Sequence, residues 1–135
     1  MATARSIRTA PKANHPRRGE IYLTALDPPL VKAKLGREIQ KTRPALVIQN
    51  DVSNRLSGIT IVAPIASTVR FPLNPVHVLL VADHTTGLSV TSVALFNQIR
   101  AVDRIRLVKR LGSVDVETLE RVDEAIKISL GLIPL

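Results

Sequence analysis

The stretch Lys41–Asp51, KTRPALVIQND, carries the residue best suited to chemistry in this chain, Arg43. Pro44 disfavours helix at the residue before it and pre-sets an extended path. Ala45, Leu46, Val47 and Ile48 are then too few for a helix and suit a buried strand that stops at Gln49-Asn50-Asp51. Arg43 is therefore a cation on the lip of a rigid strand. Such a position suits a phosphate site, because a guanidinium fork meets two phosphate oxygens at once. The competing reading is a solvated arginine that happens to precede a strand, which is the commoner fate of this residue type.

Other chemistries have little to stand on. With no cysteine, the chain has no disulfide framework, thiolate zinc site or cysteine nucleophile. His15, His77 and His84 fall at no metal-ligand spacing. No Gly-rich phosphate loop or dinucleotide fingerprint occurs. The only aromatic residues are Tyr22, Phe71 and Phe96, too few for a base-stacking platform. The net charge of +8 is uneven. Arg5, Arg8, Lys12, Arg17 and Arg18 stand without an acid in residues 1–18. Lys32, Lys34, Arg37, Lys41 and Arg43 surround Glu38, and Arg100, Arg104, Arg106, Lys109 and Arg110 surround Asp103. Two basic segments on one body are what a polyanion-binding face would require, although charge alone favours the blander reading of solvated loop charges.

The elements that must position these residues are short. Residues 1–17 have no hydrophobic period and read as a basic arm, leaving residues 18–135 as one domain. Glu20–Leu26 alternates as a first strand, with Ile21, Leu23 and Ala25 on one face, and Asp27-Pro28-Pro29 ends it. Residues 30–42 form a long polar loop, a length that in a compact domain is functional or disordered. Further strands are expected at Ala45–Ile48, Ile59–Ala63, Val76–Val81 and Ser92–Phe96, with a turn at Asn54–Gly58 and a loop at residues 83–87. Gln98–Val102 reads as a short strand and Asp103–Leu107 as one helical turn. A helix opens at Asp115, carries the stripe Leu119, Val122, Ile126 and Leu130, and stops at Gly131. No apolar run approaches the length of a membrane span. Short strands followed by one amphipathic helix predict an α+β, mainly β, fold: a small antiparallel barrel with a C-terminal helix packed on it.

Four segments together resemble the MazF/PemK family of toxin endoribonucleases: Arg18-Gly19-Glu20-Ile21-Tyr22-Leu23, the Arg43-Pro44 strand, Asn97-Gln98-Ile99-Arg100, and VDEAIKISLGLI from Val122 to Ile133. They fall in the family's order and spacing over about residues 17 to 134. The resemblance implies an SH3-like barrel of the CcdB/MazF type, working as a cytoplasmic homodimer that cuts single-stranded RNA without metal or other cofactor. Attack by the 2′-hydroxyl would leave a 2′,3′-cyclic phosphate and a 5′-hydroxyl, and a cognate antitoxin with an acidic, flexible C-terminal part would silence the enzyme. In that scheme Arg43 stabilises the phosphorane and Glu38 is either the base or the residue that orients Arg43. Lys32, Lys34, Arg37 and Lys41 would bind RNA, Gln98 would read a base edge, and Arg100 would hold a neighbouring phosphate.

The chain departs from the pattern twice. Where the family places a threonine after the third strand, Ala66 stands here, so Ser67 or Thr68 must supply the hydroxyl; Ser67 is preferred because Pro64 makes an irregular path plausible. Asn97 stands where relatives often have an acid. Two alternatives stay open: a gyrase-poisoning toxin of the CcdB type, and a catalytically weak RNA-binding relative.

Overall fold

The computed structural model describes residues 15–26 and 41–135. Glu38, Lys32, Lys34 and Arg37 lie outside the described residues. The elements run β1 (Glu20–Ala25), β2 (Thr42–Val47), α1 (Asp51–Leu56), β3 (Ile59–Ala66), β4 (His77–Leu80), β5 (Ser92–Leu95), β6 (Arg100–Asp103), β7 (Leu107–Ser113) and α2 (Val116–Ser129). Single 3₁₀ turns occupy Phe96–Gln98 and Arg104–Arg106.

The described ladders are all antiparallel. β2 lies between β1 and β3, β7 flanks β1, and β6 pairs with the first half of β3. The resulting order, β7-β1-β2-β3-β6, surrounds one apolar cluster of Leu26, Ala45, Val47, Val62 and Val102, with Tyr22 and Leu107 packed on it. This is the small mainly-β arrangement expected from the sequence, but the ladders do not close between β6 and β7. The 3₁₀ turn Arg104–Arg106 spans that gap. Side chains secure the crossing: Arg106 Nη1 donates to the Ala25 carbonyl at 3.2 Å and Arg100 Nη2 to the Leu26 carbonyl at 3.0 Å.

A second cluster fills the opposite face, where Ile21, Leu46, Ala63, Ile65, Val78, Leu80, Phe96, Val122 and Ala125 join the sheet to α2. Ala45 and Val47 belong to the first cluster and Leu46 to the second. The run from Ala45 to Val47 is uniformly apolar because both of its faces are buried, as period-two alternation then requires. The two strand prolines fall where ladders end. The β2–β3 ladder starts at Ala45↔Pro64, so Pro44 needs no N–H toward β3. β3 changes its other neighbour from β6, through Val62, to β5, from Ile65, and Pro64 sits in the changeover.

Several boundaries differ from expectation. The third strand continues to Ala66 rather than ending at Ala63. The expected turn at Asn54–Gly58 is instead largely helix α1, too short to show a hydrophobic period. Asn50 caps it, accepting the Ser53 N–H at 2.8 Å. Fully buried Asn54 accepts from Thr60 Oγ1 at 2.7 Å and Gln49 Nε2 at 3.0 Å, and donates to the Gln49 carbonyl at 2.9 Å. The polar run after β2 is therefore a structural network. β7 was not expected either, because exposed Val108, Lys109 and Arg110 interrupt its alternation and two bulges shift its register against β1.

α2 begins and ends as expected. Asp115 accepts the Thr118 N–H at 2.8 Å, and hydrogen bonding from Thr118 holds its carboxyl below the usual range. Gly131 adopts φ 74° and donates to the Ile128 carbonyl, while Leu132 donates to the Lys127 carbonyl, which satisfies the last carbonyls. Leu130, expected in the core stripe, is 58% exposed, because it is the C-cap where the helix leaves the sheet. At the other end the folded body reaches back before Arg18. His15 and Pro16 are buried, and Arg17 donates its N–H to Glu20 Oε1 at 2.8 Å.

Candidate active site

Arg43 lies two residues after Lys41, whose φ of 75° is unusual for a residue with a side chain. The Lys41 carbonyl accepts the Leu26 N–H at 3.1 Å, which pins the two ends of the segment between β1 and β2. Arg43 then enters β2 opposite Thr24, a buried residue whose hydroxyl donates to the Tyr22 carbonyl at 2.9 Å. The guanidinium thus rises from a strand paired with β1 at this residue and with β3 from Ala45 onward, a rigid base for an anion contact.

A cleft of about 460 Å³ opens at this end of the sheet. Its floor includes Leu23, Pro44 and Ile65, neighbours on β1, β2 and β3. Arg43 and Ser67 border it, and Gly87, Leu88, Ser89, Val90, Ser92 and Leu111 complete the lining. Continuing the β2–β3 register from Ala45↔Pro64 by two residues sets Ala66 opposite Arg43. The ladder itself ends at Ala45↔Pro64, and Ala66, the position expected to carry a hydroxyl, does not line the cleft that Arg43 borders. β3 ends at Ala66 and the chain bends at Ser67. Regular alternation would send Ser67 away from the face of Ala66. Ile65 and Ser67 both line the cleft and Ala66 does not, so Ser67 reaches it by the alternation that puts residues two apart on one face, whereas Thr68 is exposed and outside the lining.

The wall facing Arg43 is a tightly bonded loop. Asp83 Oδ1 accepts the Thr85 and Thr86 N–H groups at 2.9 Å each, and this bonding, chiefly from Thr86, lowers its carboxyl pKa. Gly87 donates its N–H to the Asp83 carbonyl at 2.9 Å, and Thr86 Oγ1 donates to the Val81 carbonyl at 2.9 Å. From the sequence, residues 83–87 are only a loop. The Asp-x-Thr-Thr-Gly pattern was a legible turn signal, but its packing against β7 was not.

The remaining expected site residues are spread out. Lys41 is exposed beside β2. Gln98 is half-buried in the 3₁₀ turn after β5. Arg100 starts β6 opposite Val62 and reaches the Leu26 carbonyl, so neither Gln98 nor Arg100 lines the cleft. Among the described residues, no three His, Cys, Asp or Glu side chains are grouped to hold a metal ion. No described helix is long and apolar enough to cross a membrane.

The fold and the cleft define a small mainly-β α+β protein with a guanidinium set in a hydroxyl-bearing groove at one end of its sheet. The chain belongs to the family of PemK-like, MazF-like toxins of type II toxin–antitoxin systems, whose pattern it matches over residues 17–130. It is 40% identical over 117 residues to endoribonuclease EndoA of Bacillus subtilis, covering 87% of this chain and 96% of that protein. It is 38% identical over 121 residues to endoribonuclease MazF9 of Mycobacterium tuberculosis, covering 86% and 97% respectively. Among solved structures, a mycobacterial endoribonuclease in complex with its cognate antitoxin superposes with a TM-score of 0.67 over 89% of this chain and 99% of that one. At 22% identity that similarity bears on the fold.

Proposed function

We propose that this toxin is an endoribonuclease that cuts single-stranded RNA at the Arg43 cleft. The observation that carries the reading is Arg43 itself, fixed at the mouth of β2 on a cleft that also takes in Ser67. Two relatives named endoribonucleases match nearly the whole folded body, which supports the activity. In the reaction the substrate's 2′-oxygen attacks phosphorus and gives up its proton. The bond from phosphorus to the 5′-oxygen breaks, and that oxygen takes up a proton. Charge accumulates on the non-bridging phosphate oxygens meanwhile, and a preorganised guanidinium stabilises it. Glu38 is assigned as the proton acceptor or as the group that orients Arg43, and Lys32, Lys34, Arg37 and Lys41 as contacts to the RNA backbone. Arg100 acts first on the protein's own backbone at Leu26. The gyrase-poisoning alternative gives this arginine cleft no role and is set aside.

The chemistry needs no metal, and cleavage in EDTA is the test. Incubation with a long, weakly structured RNA should give 2′,3′-cyclic phosphate and 5′-hydroxyl ends at an undiminished rate. Loss of activity in EDTA with recovery on adding magnesium would overturn the reading.

The turn after β3 supplies a second prediction. Ser67→Ala should lower single-turnover cleavage by about tenfold, a modest share of the effect of removing an anion donor. Thr68→Ala should have less effect, and Ala66→Thr should restore at least part of the loss in Ser67→Ala. Normal cutting by both alanine variants would mean that no hydroxyl is used at this turn.

The working form is a homodimer. The face available for it is a groove of about 570 Å³ floored by Ile48, Ile61, Ile99, Ile126 and Leu130. Ile61 and Leu130, 37% and 58% exposed, are apolar surface that a second copy would cover. A cytoplasmic setting and silencing by an antitoxin with an acidic, flexible C-terminal part complete the reading, the second consistent with membership of a toxin–antitoxin family.

A further inference from the structure

We infer that Ser89 is a second substrate-contacting hydroxyl of the Arg43 cleft, standing in from the opposite wall for the hydroxyl that Ala66 lacks. The inference rests on the ribonuclease reading of the cleft. Three serines line it: Ser67, Ser89 and Ser92. Ser92 is only 4% exposed and its hydroxyl donates to the Val90 carbonyl at 2.8 Å, so its role is to hold the wall. Ser67 and Ser89 are both exposed.

The placement of Ser89 is imposed from both sides. Leu88 is 8% exposed and belongs to the core cluster under α2, which anchors the wall by burying an apolar side chain. Gly87 lies so close to β7 that an added Cβ would stand 1.9 Å from the Leu111 carbonyl oxygen. On the far side the Ser92 hydroxyl ties back to Val90, and the Ala82 N–H donates to Thr91 Oγ1 at 3.2 Å. Ser89 is carried by a segment fixed before and after it, at the cleft and away from the core. A hydroxyl held this way can donate to a phosphate oxygen with little reorganisation, which is what makes such a donor effective in a transition state. Ala66, where the resemblance expects a threonine, carries no hydroxyl and does not line the cleft, so a further donor there has to come from another segment.

The test compares the full-length wild-type protein with Ser89→Ala, Ser89→Thr, Ser67→Ala and Arg43→Ala. Single-turnover cleavage is measured on an RNA oligonucleotide carrying the mapped cut site. Binding is measured on the same RNA with a 2′-O-methyl group at the cut nucleotide. Ser89→Ala should cut about tenfold more slowly and bind the uncleavable RNA with nearly unchanged affinity, since a donor used in the transition state changes rate more than binding. Ser89→Thr keeps the hydroxyl and should retain most of the rate. Thermal stability should not change in either variant, which separates contact with substrate from support of the wall. If wild type cuts and Arg43→Ala does not, while Ser89→Ala matches wild type, the inference about Ser89 fails and the reading of the cleft stands. If Ser89→Ala instead loses affinity and rate equally, Ser89 is not a transition-state donor. A wild-type protein that cuts no RNA overturns both.

Discussion

Arg43→Ala should lower single-turnover RNA cleavage by about 10²–10³-fold, the usual cost of removing one preorganised donor from a developing anion. The fold should survive, because the side chain is only half-buried and is absent from both core clusters. Arg43→Lys is the more discriminating variant. It keeps the charge but replaces a planar fork by a point charge on a flexible stem, so it should still lose a large part of the rate. A circular-dichroism melt of each variant establishes that the loss is chemical. Wild-type cutting by folded Arg43→Ala would remove the cleft from consideration. Binding of a 2′-O-methyl RNA adds a second readout. If the arginine acts mainly on the phosphorane, affinity should fall much less than rate.

Arg43 could be found in the sequence because its position depends on local rules. Proline fixes the path before the strand, and a short apolar run fixes the strand. α2 was legible for a similar reason: Asp115, the spacing of Leu119, Val122 and Ile126, and Gly131 each act within a few residues. The misses are of another kind. α1 is six residues long, and its stability comes from the Gln49–Asn54–Thr60 hydrogen bonds and from packing on β3, neither of which produces a periodic pattern. β7 exposes Val108, Lys109 and Arg110 in succession and shifts register twice, so the alternation that marks a strand is erased. Ser89 was missed because the wall opposite Arg43 comes from the chain after β4, more than forty residues downstream in sequence. Only the tertiary fold brings the two together. Arg100 has a structural partner that the sequence did not show. Its sequence neighbourhood points to RNA, and its guanidinium also donates to the Leu26 carbonyl just past β1, a contact between residues 74 positions apart that only the tertiary fold creates.

Replacing Gly87 or Gly112 by alanine should be the most destabilising small change in the folded body, for a reason that links the fold to the cleft. The hydrogen-bonded path through the sheet ends at β4 on one side and at β7 on the other. The loop after β4 crosses to β7, where the Ser113 N–H donates to the Thr85 carbonyl at 2.9 Å. Both glycines sit in this seam. At Gly87 a Cβ would meet the Leu111 carbonyl oxygen at 1.9 Å, and at Gly112 it would meet the Thr85 carbonyl oxygen at 2.2 Å. The obstructing atoms are backbone, so relief requires the seam to open. Gly87 also adopts φ 70°, a conformation that disfavours a side chain. Combining overpacking with backbone strain, each substitution should cost about 2–4 kcal/mol, which in a domain of this size lowers the melting temperature by roughly 10 °C. Two other glycines calibrate the effect. Gly58→Ala meets nothing within 4 Å and should change stability by less than about 0.5 kcal/mol. Gly131→Ala also meets nothing but sits at φ 74°, so it should show the conformational penalty alone, about 1 kcal/mol. Gly87 and Gly112 also differ in a second readout. Gly87 lines the Arg43 cleft and Gly112 does not. Assayed well below both melting transitions, Gly87→Ala should cut RNA more slowly because the wall carrying Ser89 shifts, whereas Gly112→Ala, displacing the seam farther from the cleft, should lose less rate for a similar loss of stability. Equal stability of all four alanine variants would show that the loop does not bear on β7, and the cleft would then lack the rigid wall attributed to it.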